Sequence, residues 1–446
     1  MTTSRHRQRG LSLIELMIAL LIGTILLLGI TSLFNTTSNV NRMENGLARL
    51  QENGRFALSR IAEDLRMATA MRSMRKASEG GGPGATNPDR PVLSFANLGT
   101  GAWAAAGLPA APTAPGTSRY LIPPSYFLRG HDCTGTTCAP AIAATPGSDL
   151  YNVSGYGALP ALGTTVNSRA RGGDVLTLRY LRGEGIPLRT EFSGPVNGGT
   201  LRLRAGSDFQ LGPSGLVVVG DYATTAIMAV RRIDGETLEG VGNLPDARVL
   251  SAFSPDNDAR VNDFDADLVT VTYYLRLTAD PSRPGRLVST LRRRENGIDV
   301  AVAEGIERLD FLYHVEDRLG RMRPLTAAQV QALPAADCAQ ASLNPPLVPP
   351  IAGQDALNCG WRSVRAIEVF LLANTVDDAG VLEEPFQYAF LATGAANAAN
   401  VVQVACDPAY GTCPGGSITT LPSGLPPGRM LRREFRTVVT LRNNAY

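Results

Sequence analysis

The densest group of potential metal ligands lies in SPDNDARVNDFDAD, residues 254–267. Asp263, Asp265 and Asp267 alternate there, and carboxylate oxygens are the ligands that Ca²⁺ prefers. The stretch lacks the central glycine and the distal glutamate of an EF-hand loop. We therefore interpret it as a solvated loop that leads into a strand, with Ca²⁺ binding by the three aspartates as the alternative. The sequence predicts no resident metal ion and no other cofactor.

Histidine and cysteine offer catalytic chemistry at two further places. Cys133 follows His131 and Asp132 directly, and His314 lies two residues before Glu316. Neither group is accompanied by a nucleophile elbow, a metalloprotease H-E-x-x-H helix or a Walker loop. The sequence therefore contains no recognisable active-site constellation, and we predict that the chain is not an enzyme.

The six cysteines are disulfide candidates. They form three close pairs along the chain, separated by four, twenty and six residues. None of these pairs has the two-residue spacing of a zinc knuckle, and an even number beyond a membrane segment indicates disulfides in an oxidising compartment. Pairing of neighbours is the simplest of about fifteen connectivities. The candidates are Cys133, Cys138, Cys338, Cys359, Cys406 and Cys413.

A single acid, Glu15, lies at the start of the longest apolar run. The nineteen residues from Leu16 to Phe34 are apolar or small and polar, and the next charge is Arg42. As a helix they extend about 28 Å, enough for a bilayer core of about 30 Å. A carboxylate within that core costs about 2.5–3.5 kcal/mol, which makes Glu15 a functional candidate.

The residues that flank the apolar run indicate its orientation. Three arginines precede it, so the positive-inside rule places residues 1–10 in the cytoplasm and the rest of the chain outside. A cleaved secretory signal has a shorter apolar core, of about 7–15 residues, and a small-residue cleavage site that is missing here. An ordinary signal anchor explains the length and the arginines but leaves Glu15 unexplained.

The residues GLSLIEL, positions 10–16, closely resemble the prepilin signal of type IV pilins and type II secretion pseudopilins. The resemblance implies that the prepilin peptidase cuts after Gly10 and methylates Leu11, where the family usually has Phe. It also implies that Glu15 pairs with the N-terminal amine of a neighbouring subunit. Such pairing makes a buried carboxylate tolerable, so Glu15 is better explained as an assembly contact than as a catalytic acid.

A long helix must position this signal. Apolar residues recur at steps of three and four beyond the membrane segment, with charged residues such as Asp64 between them on a face that we predict to be solvated. We predict one helix from about Leu11 to about Met71. Residues 11–34 form its transmembrane half, and residues 35–71 form a periplasmic amphipathic half that docks on the following domain. Each of its four glycines weakens it by about 1 kcal/mol relative to alanine.

The remainder divides into a region rich in Gly, Pro and Ala, residues 72–173, and a region with strand patterns, residues 174–446. Strict alternation predicts antiparallel strands, for example in DLVTVTYYLRL, and puts Phe435 and Val439 on one face of the last strand. The arginine runs at 292–294 and 432–433 are interpreted as solubilising charges on strands. The predicted fold is α+β and pilin-like, with a long N-terminal helix packed on an antiparallel β headgroup that has long loops and insertions.

Several downstream segments are similar to the PilW type of minor pilin, namely GDVLTLRY, VTYYLRL, VAEGIERLDFLYHVED, VRAIEVFLLAN and RREFRTVVTLRN. The resemblance implies a structural subunit that helps to prime or cap a type IV pilus. Its partners would be other minor pilins, the major pilin, the prepilin peptidase and the inner-membrane assembly machinery. The chain would sit in the inner membrane with its C-terminal domain in the periplasm, and then enter the pilus at the tip or base.

Three other functions remain open at this stage. A minor pseudopilin of a type II secretion system shares the same N-terminal signal. A membrane-anchored adhesin and a membrane-anchored enzyme belong to different classes. Direct binding of nucleic acid is not predicted, because a net charge of +2 gives no electrostatic attraction for phosphates.

Overall fold

The computed structural model describes residues 13–70, 127–134, 137–142, 158–194, 198–221, 225–241, 253–334, 337–338, 359–377, 425 and 430–442. It also gives the backbone of four short strands, which form two separate pairs. Elements are numbered along the chain. The short strands are β1 (Val92–Leu93), which pairs with β2 (Tyr120–Leu121), and β20 (Phe386–Tyr388), which pairs with β21 (Val402–Val404).

One helix dominates the N-terminal part of the chain. Helix α1 (Leu13–Met67) has 55 residues, with an acid in its first turn and Arg66 in its last, as the helix dipole favours. It ends four residues before the predicted end. Thr69 takes a left-handed backbone conformation with φ of 60°, and its amide donates to the carbonyl of Arg179, so the chain leaves the helix to join a strand.

The larger sheet has eight strands and is antiparallel except where β5 pairs with β6. Its main path is β16-β15-β14-β7-β3-β4, and β6 pairs with β14 beyond the start of β7. Its strands are β3 (Leu128–Thr134), β4 (Thr137–Ala139), β5 (Leu162–Gly163), β6 (Arg169–Ala170), β7 (Val175–Leu181), β14 (Leu268–Ala279), β15 (Leu287–Glu295) and β16 (Ile298–Glu304).

A second, four-stranded antiparallel sheet follows, in the order β18-β17-β19-β22. Its strands are β17 (Ile306–Glu316), β18 (Met322–Leu325), β19 (Val364–Asn374) and β22 (Arg432–Thr440). Two short helices, α3 (Ala327–Gln331) and α4 (Cys359–Arg362), lie between its strands in the chain. Thr326 and Gln329 cap α3 with a capping box, and Trp361 of α4 is buried with its Nε1 donating to Gln331 at 3.0 Å.

The third sheet is a small module inserted in the chain between β7 and β14. Its order is β8-β13-β10-β11-β12-β9, and a bridge between Leu188 and Leu203 brings the chain after β8 beside the chain after β9. Two amide bonds, Arg189 to Arg202 and Arg204 to Pro187, complete this closure. Its elements are β8 (Ile186–Pro187), β9 (Thr200–Arg202), β10 (Leu216–Gly220), β11 (Thr225–Arg232), β12 (Thr237–Gly240), a 3-10 turn (Pro255–Asn257), β13 (Arg260–Asp263) and α2 (Phe264–Asp267).

The two largest hydrophobic cores among the described residues hold most of these elements. The main core is shared by the second half of α1 and both large sheets, with buried side chains such as Ile61, Tyr273 and Val369. The inserted module, whose six strands close into a small barrel, has a core of its own around Phe209, Val217 and Phe253. We call it the inserted barrel. The predicted α+β, pilin-like architecture is therefore confirmed. The predicted loop-rich region 72–173 supplies β3 to β6 of the larger sheet where the structure describes it.

Candidate functional site: the N-terminal helix and its attachment to the headgroup

The first half of α1 is exposed on all sides. Every residue from Leu13 to Phe34 except Gly23 is exposed, although most are large and apolar. The hydroxyls of Thr24 and Thr31 donate to carbonyls of the preceding turn at 2.8 and 2.7 Å, so they need no water. Among the described residues α1 is long and apolar enough to cross a membrane. This half can therefore be buried only by lipid or by other proteins.

Glu15 lies in the first turn of this exposed half, two residues after the described helix begins. Its side chain is exposed in the isolated chain. Gly10 and Leu11 lie outside the described residues, so cleavage after Gly10 and methylation of Leu11 remain predictions, as does the assembly role of Glu15.

The second half of α1 packs on the headgroup through one continuous face. Leu50, Ala57, Ile61 and Leu65 are buried there against β7, β16, β19 and β22. Gly54 belongs to the same face, and a Cβ atom at this position would overlap the ring of Phe435. Glycine at 54 is thus required by the close approach of β22 to the helix, a specific role that its helix propensity does not reveal.

Asp64 forms the polar centre of this interface. It is only 4% exposed, although the periodicity predicted a solvated position. Its carboxylate accepts from the hydroxyl of Tyr180 at 2.9 Å and from the hydroxyl of Tyr273 at 2.5 Å. Arg293 donates to both oxygens, from Nε at 2.6 Å and from Nη2 at 3.0 Å. The buried charge is therefore paired and hydrogen-bonded by three side chains of the sheet.

The network continues outward from Arg293 to solvent. Arg293 also donates to Glu295, and Glu295 accepts from Arg182 at 2.6 Å. The hydrogen bond from Arg182, with further support from Arg293, lowers the pKa of Glu295 to about 2. Burial and the negative charge of Asp64 raise the pKa of the Tyr273 hydroxyl. Tyr273 thus remains a donor, and its oxygen also lies 3.1 Å from the carbonyl of Arg60.

The backbone fastens the end of the helix to the same sheet. The amide of Thr69 donates to Arg179 at 2.9 Å, and the amide of Leu181 donates to Ala70 at 2.8 Å. The chain therefore leaves α1 along β7, next to Tyr180 of the Asp64 network. Apolar packing, a buried ion pair and backbone hydrogen bonds all fix the helix relative to the headgroup.

Two segments of the chain match family models. The prokaryotic N-terminal methylation motif matches residues 5–31. The type IV pilus-assembly protein W family matches residues 273–443, which span β14 to β22. Over these two segments the chain is similar to type IV pilins of the PilW type. Neither a curated protein nor a solved structure matches it.

The structure describes three of the six candidate cysteine side chains. Cys133 and Cys138 form a disulfide across the β3–β4 hairpin, where they are paired in register, as the neighbour pairing predicts. Cys338 is also disulfide-bonded. The side chain of Cys359 and both Cys406 and Cys413 lie outside the described residues, so the remaining pairings stay predictions.

The three aspartates considered for Ca²⁺ instead accept hydrogen bonds from other residues of the chain. Asp263 caps α2 by accepting from the amide of Ala266 at 2.8 Å and also accepts from Gly212. Asp265 accepts from the amide of Ser214, and Asp267 accepts from Asn262. These contacts hold the barrel loops and α2 together. Among the described residues there is no group of three or more His, Cys, Asp or Glu side chains arranged to hold a metal ion.

Sequence reasoning predicted that the second half of α1 docks on the headgroup, but it missed the polar centre of that attachment. Asp64 was placed on the solvated face and Arg293 among the solubilising charges; both positions were wrong, because the two side chains neutralise each other inside the interface. Arg432 is another exception, since it binds the buried Glu307 at 2.7 Å. One feature of the sequence could have indicated that Asp64 is buried. Asp64 lies within one helical turn of Ile61 and Leu65, which belong to the apolar face.

Proposed function

We propose that this chain is a minor pilin of a type IV pilus and that it helps to prime or cap pilus assembly through α1. The observation that carries the proposal is the division of α1 into an exposed apolar half and a half fixed on the headgroup by Asp64 and Arg293. A helix fixed in this way transmits the position of its N-terminal half to the headgroup. Contacts made by Glu15 would therefore set the register of the whole subunit.

In this proposal the chain is first an inner-membrane protein with its headgroup in the periplasm. The prepilin peptidase cuts after Gly10 and methylates Leu11, which removes three arginines that would hold the helix in the membrane. The new amine of one subunit then pairs with Glu15 of its neighbour, in the helix bundle that other minor pilins and the major pilin form. The partner charge makes the carboxylate tolerable away from water.

The processing step is tested by the intact mass of the membrane-extracted protein, from hosts with and without the prepilin peptidase. We expect a chain that lacks residues 1–10 and carries one added methyl group, only when the peptidase is present. An uncut chain, or one cut near residue 35, contradicts the pilin assignment.

The assembly step is tested by Glu15→Gln, which keeps the shape and removes the charge. We expect the variant to be processed and inserted normally but to start fewer pili, counted by electron microscopy. Glu44→Gln, on the same helix beyond the apolar half, is the matched control and should leave the count unchanged. A normal number of pili with Glu15→Gln would refute the role of Glu15 in assembly.

A further inference from the structure

Two strand edges lie beside the second half of α1. Within the described residues β16 pairs only with β15, and β22 pairs only with β19. Asn53 of α1 donates to the carbonyl of Glu304 in β16 at 3.3 Å, whereas the next residue, Gly54, lies against Phe435 of β22. Successive helix residues point about 100° apart, so the two strands lie on different sides of the helix. Each strand presents backbone N–H and C=O groups to a further strand.

β16 runs antiparallel to α1. Glu304, the last residue of β16, binds Asn53. Val300, earlier in the strand, is in register with Arg293, and Arg293 reaches Asp64 nearer the end of the helix. The strand therefore runs back toward the membrane half while the helix runs away from it.

β22 runs in the same direction as α1. Thr375 lies against Gly46 of the helix, and its amide donates to the carbonyl of Leu431, just before β22, at 3.0 Å. Phe435, further along β22, lies against Gly54. In copies of the chain anchored in one membrane all helices point the same way. The β22 of one copy is therefore antiparallel to the β16 of its neighbour, the direction that an antiparallel ladder requires.

The surface beside β16 is apolar and exposed. Ile298 and Val300 are 70% and 56% exposed, and Phe56 and Met67 of α1 are exposed as well. Val300 projects toward α1, and Phe56 lies within one turn of Asn53, which binds β16. An exposed apolar strand edge is a template for pairing with another chain.

Lipid does not reach this surface. Phe56 lies about 33 Å along the helix beyond Phe34, where the apolar run ends. The bilayer core is about 30 Å thick, and the apolar run alone is long enough to fill it. The surface is therefore available to protein.

The charges favour pairing of β16 with β22 over pairing of either strand with itself. Asp299 of β16 and both Arg432 and Arg436 of β22 are engaged in ion pairs within the chain. Glu304 of β16 and Arg433 of β22 are exposed. Opposite charges on adjacent strands attract, whereas two β16 or two β22 strands would bring like charges together.

We propose that the exposed edge of β16 binds the β22 edge of a second copy of this chain and so extends the larger sheet by antiparallel pairing. The pairing covers Ile298 and Val300 and joins two headgroups side by side. It rests on the proposed membrane anchoring, which gives both copies one direction, but not on processing or on Glu15. The contact is heterologous, so each pair keeps one free edge of each kind, to which further copies can bind.

The test is cross-linking between two variants that each add one cysteine, Val300→Cys and Val438→Cys, expressed together in the membranes of a host without the prepilin peptidase. Val438 is an exposed residue of β22, and the described part of the chain has no free cysteine. We expect a bismaleimide linker to give dimers when both variants are present and none with either variant alone. The readout needs no pili, so it is independent of the proposed function.

A charge exchange tests the pairing itself, because an antiparallel register that brings Glu304 beside Arg433 also brings Val300 close to Val438. Glu304→Arg, added to the Val300→Cys chain, should abolish most of the dimer. Arg433→Glu, added to the Val438→Cys chain, should restore it. Glu191→Arg reverses an exposed acid of the inserted barrel and is the matched control, which should leave the yield unchanged.

Four results would overturn the proposal. They are the absence of a dimer with both variants present, an equal dimer yield from Val300→Cys alone, a cross-link from Val300→Cys to another protein in place of a second copy, and equal yields with Glu304→Arg and Glu191→Arg. Thermal unfolding in detergent checks that each variant is folded. Should Val300→Cys fail to fold, Ile298→Cys replaces it on the same exposed edge.

Discussion

At the scale of single residues, Asp64 shows how a charge can be essential to packing. Its carboxylate joins α1 to three strands through Arg293 and two tyrosine hydroxyls. A pair that is buried to this degree is weak evidence of net stabilisation, because desolvation offsets much of the attraction. Loss of one partner is different, since it leaves the other charge buried and alone.

We therefore expect Asp64→Asn to lower the free energy of unfolding by about 3–5 kcal/mol, measured by urea denaturation of the full chain in detergent. Glu63→Gln is the matched control. Its side chain is 55% exposed and it pairs with Arg60 on the surface, so we expect a change of about 0–1 kcal/mol. Equal effects of the two variants would show that the Asp64 network does not fasten the helix.

Gly54 gives a second prediction at this scale. Gly54→Ala should destabilise the headgroup by about 1–3 kcal/mol through contact with Phe435, in spite of alanine's better helix propensity. Gly29→Ala, with nothing within 4 Å of the added Cβ, is the control and should not destabilise the protein. The double variant Gly54→Ala/Phe435→Leu should recover part of the loss in the same denaturation assay. A Gly54→Ala protein as stable as the wild type contradicts the close approach.

Asp174 predicts a dependence of stability on pH. Burial and the nearby charges of Asp310 and Asp132 raise its pKa well above the usual range, although amides of Cys133 and Phe311 donate to it. Between the unfolded pKa of about 3.9 and the raised folded pKa, the folded chain holds more protons than the unfolded chain. Stability from this group is therefore complete below the unfolded pKa and is lost as pH rises through the folded pKa.

The measurement is the free energy of unfolding at a series of pH values from about 5 to about 8, compared between the wild type and Asp174→Asn. The wild type should lose stability over this range more steeply than the variant, which cannot ionise at this position. Parallel curves for the two proteins would contradict the assignment of the raised pKa to Asp174.

At the scale of elements, the inserted barrel is separable from the headgroup. It begins after Leu181 and ends before Leu268, and these two residues are paired in neighbouring strands β7 and β14. The amide of Arg182 also donates to the carbonyl of Asp267 at 2.8 Å, so the ends of the insertion lie side by side. Its core is separate from the main core. A hairpin turn can therefore replace it.

We expect a chain in which Asn-Gly replaces residues 183–266 to keep the main core, because two-residue turns of this type join antiparallel strands. Hydrogen exchange of the β14 amides should remain slow relative to an unfolded chain. The excised segment, expressed alone, should unfold cooperatively with heat. Rapid exchange throughout β14 would show that the headgroup needs the barrel in order to fold.

At the scale of the whole molecule, the last described strand completes the attachment of the first helix. β22 lies at the edge of its sheet, packs on α1 through Phe435 and holds Glu307 of β17 through Arg432. The two ends of the described chain thus depend on each other, and the headgroup and the second half of α1 form one cooperative unit.

A truncation before Met430 tests this dependence. Without β22, residues 50–67 of α1 should become accessible to limited proteolysis in detergent, whereas a chain that stops after Arg442 should keep the wild-type protection. Protection of this helix segment in the shorter chain would show that the larger sheet alone fastens α1.

The features that depend on local pattern could be predicted from the amino-acid sequence. An uncharged apolar run predicted the exposed half of α1, and period-two alternation predicted strands such as β14, β19 and β22, with Phe435 and Val439 facing the core. The prepilin-like residues around Glu15 indicated the pilin family. Each of these signals is complete within a few tens of residues, because the spacing of side chains along a helix or strand is fixed by backbone geometry.

The pairing of polar residues, in contrast, depends on how the helix and the sheets pack. Asp64 and Arg293 are 229 positions apart, so no local pattern distinguishes them from the solvated charges beside them. The same holds for Arg432 with Glu307 and for the closure of the barrel at Leu188 and Leu203. A buried charge is stable only with a partner, and the partner's position follows from how helix and sheets pack rather than from its neighbours in the chain.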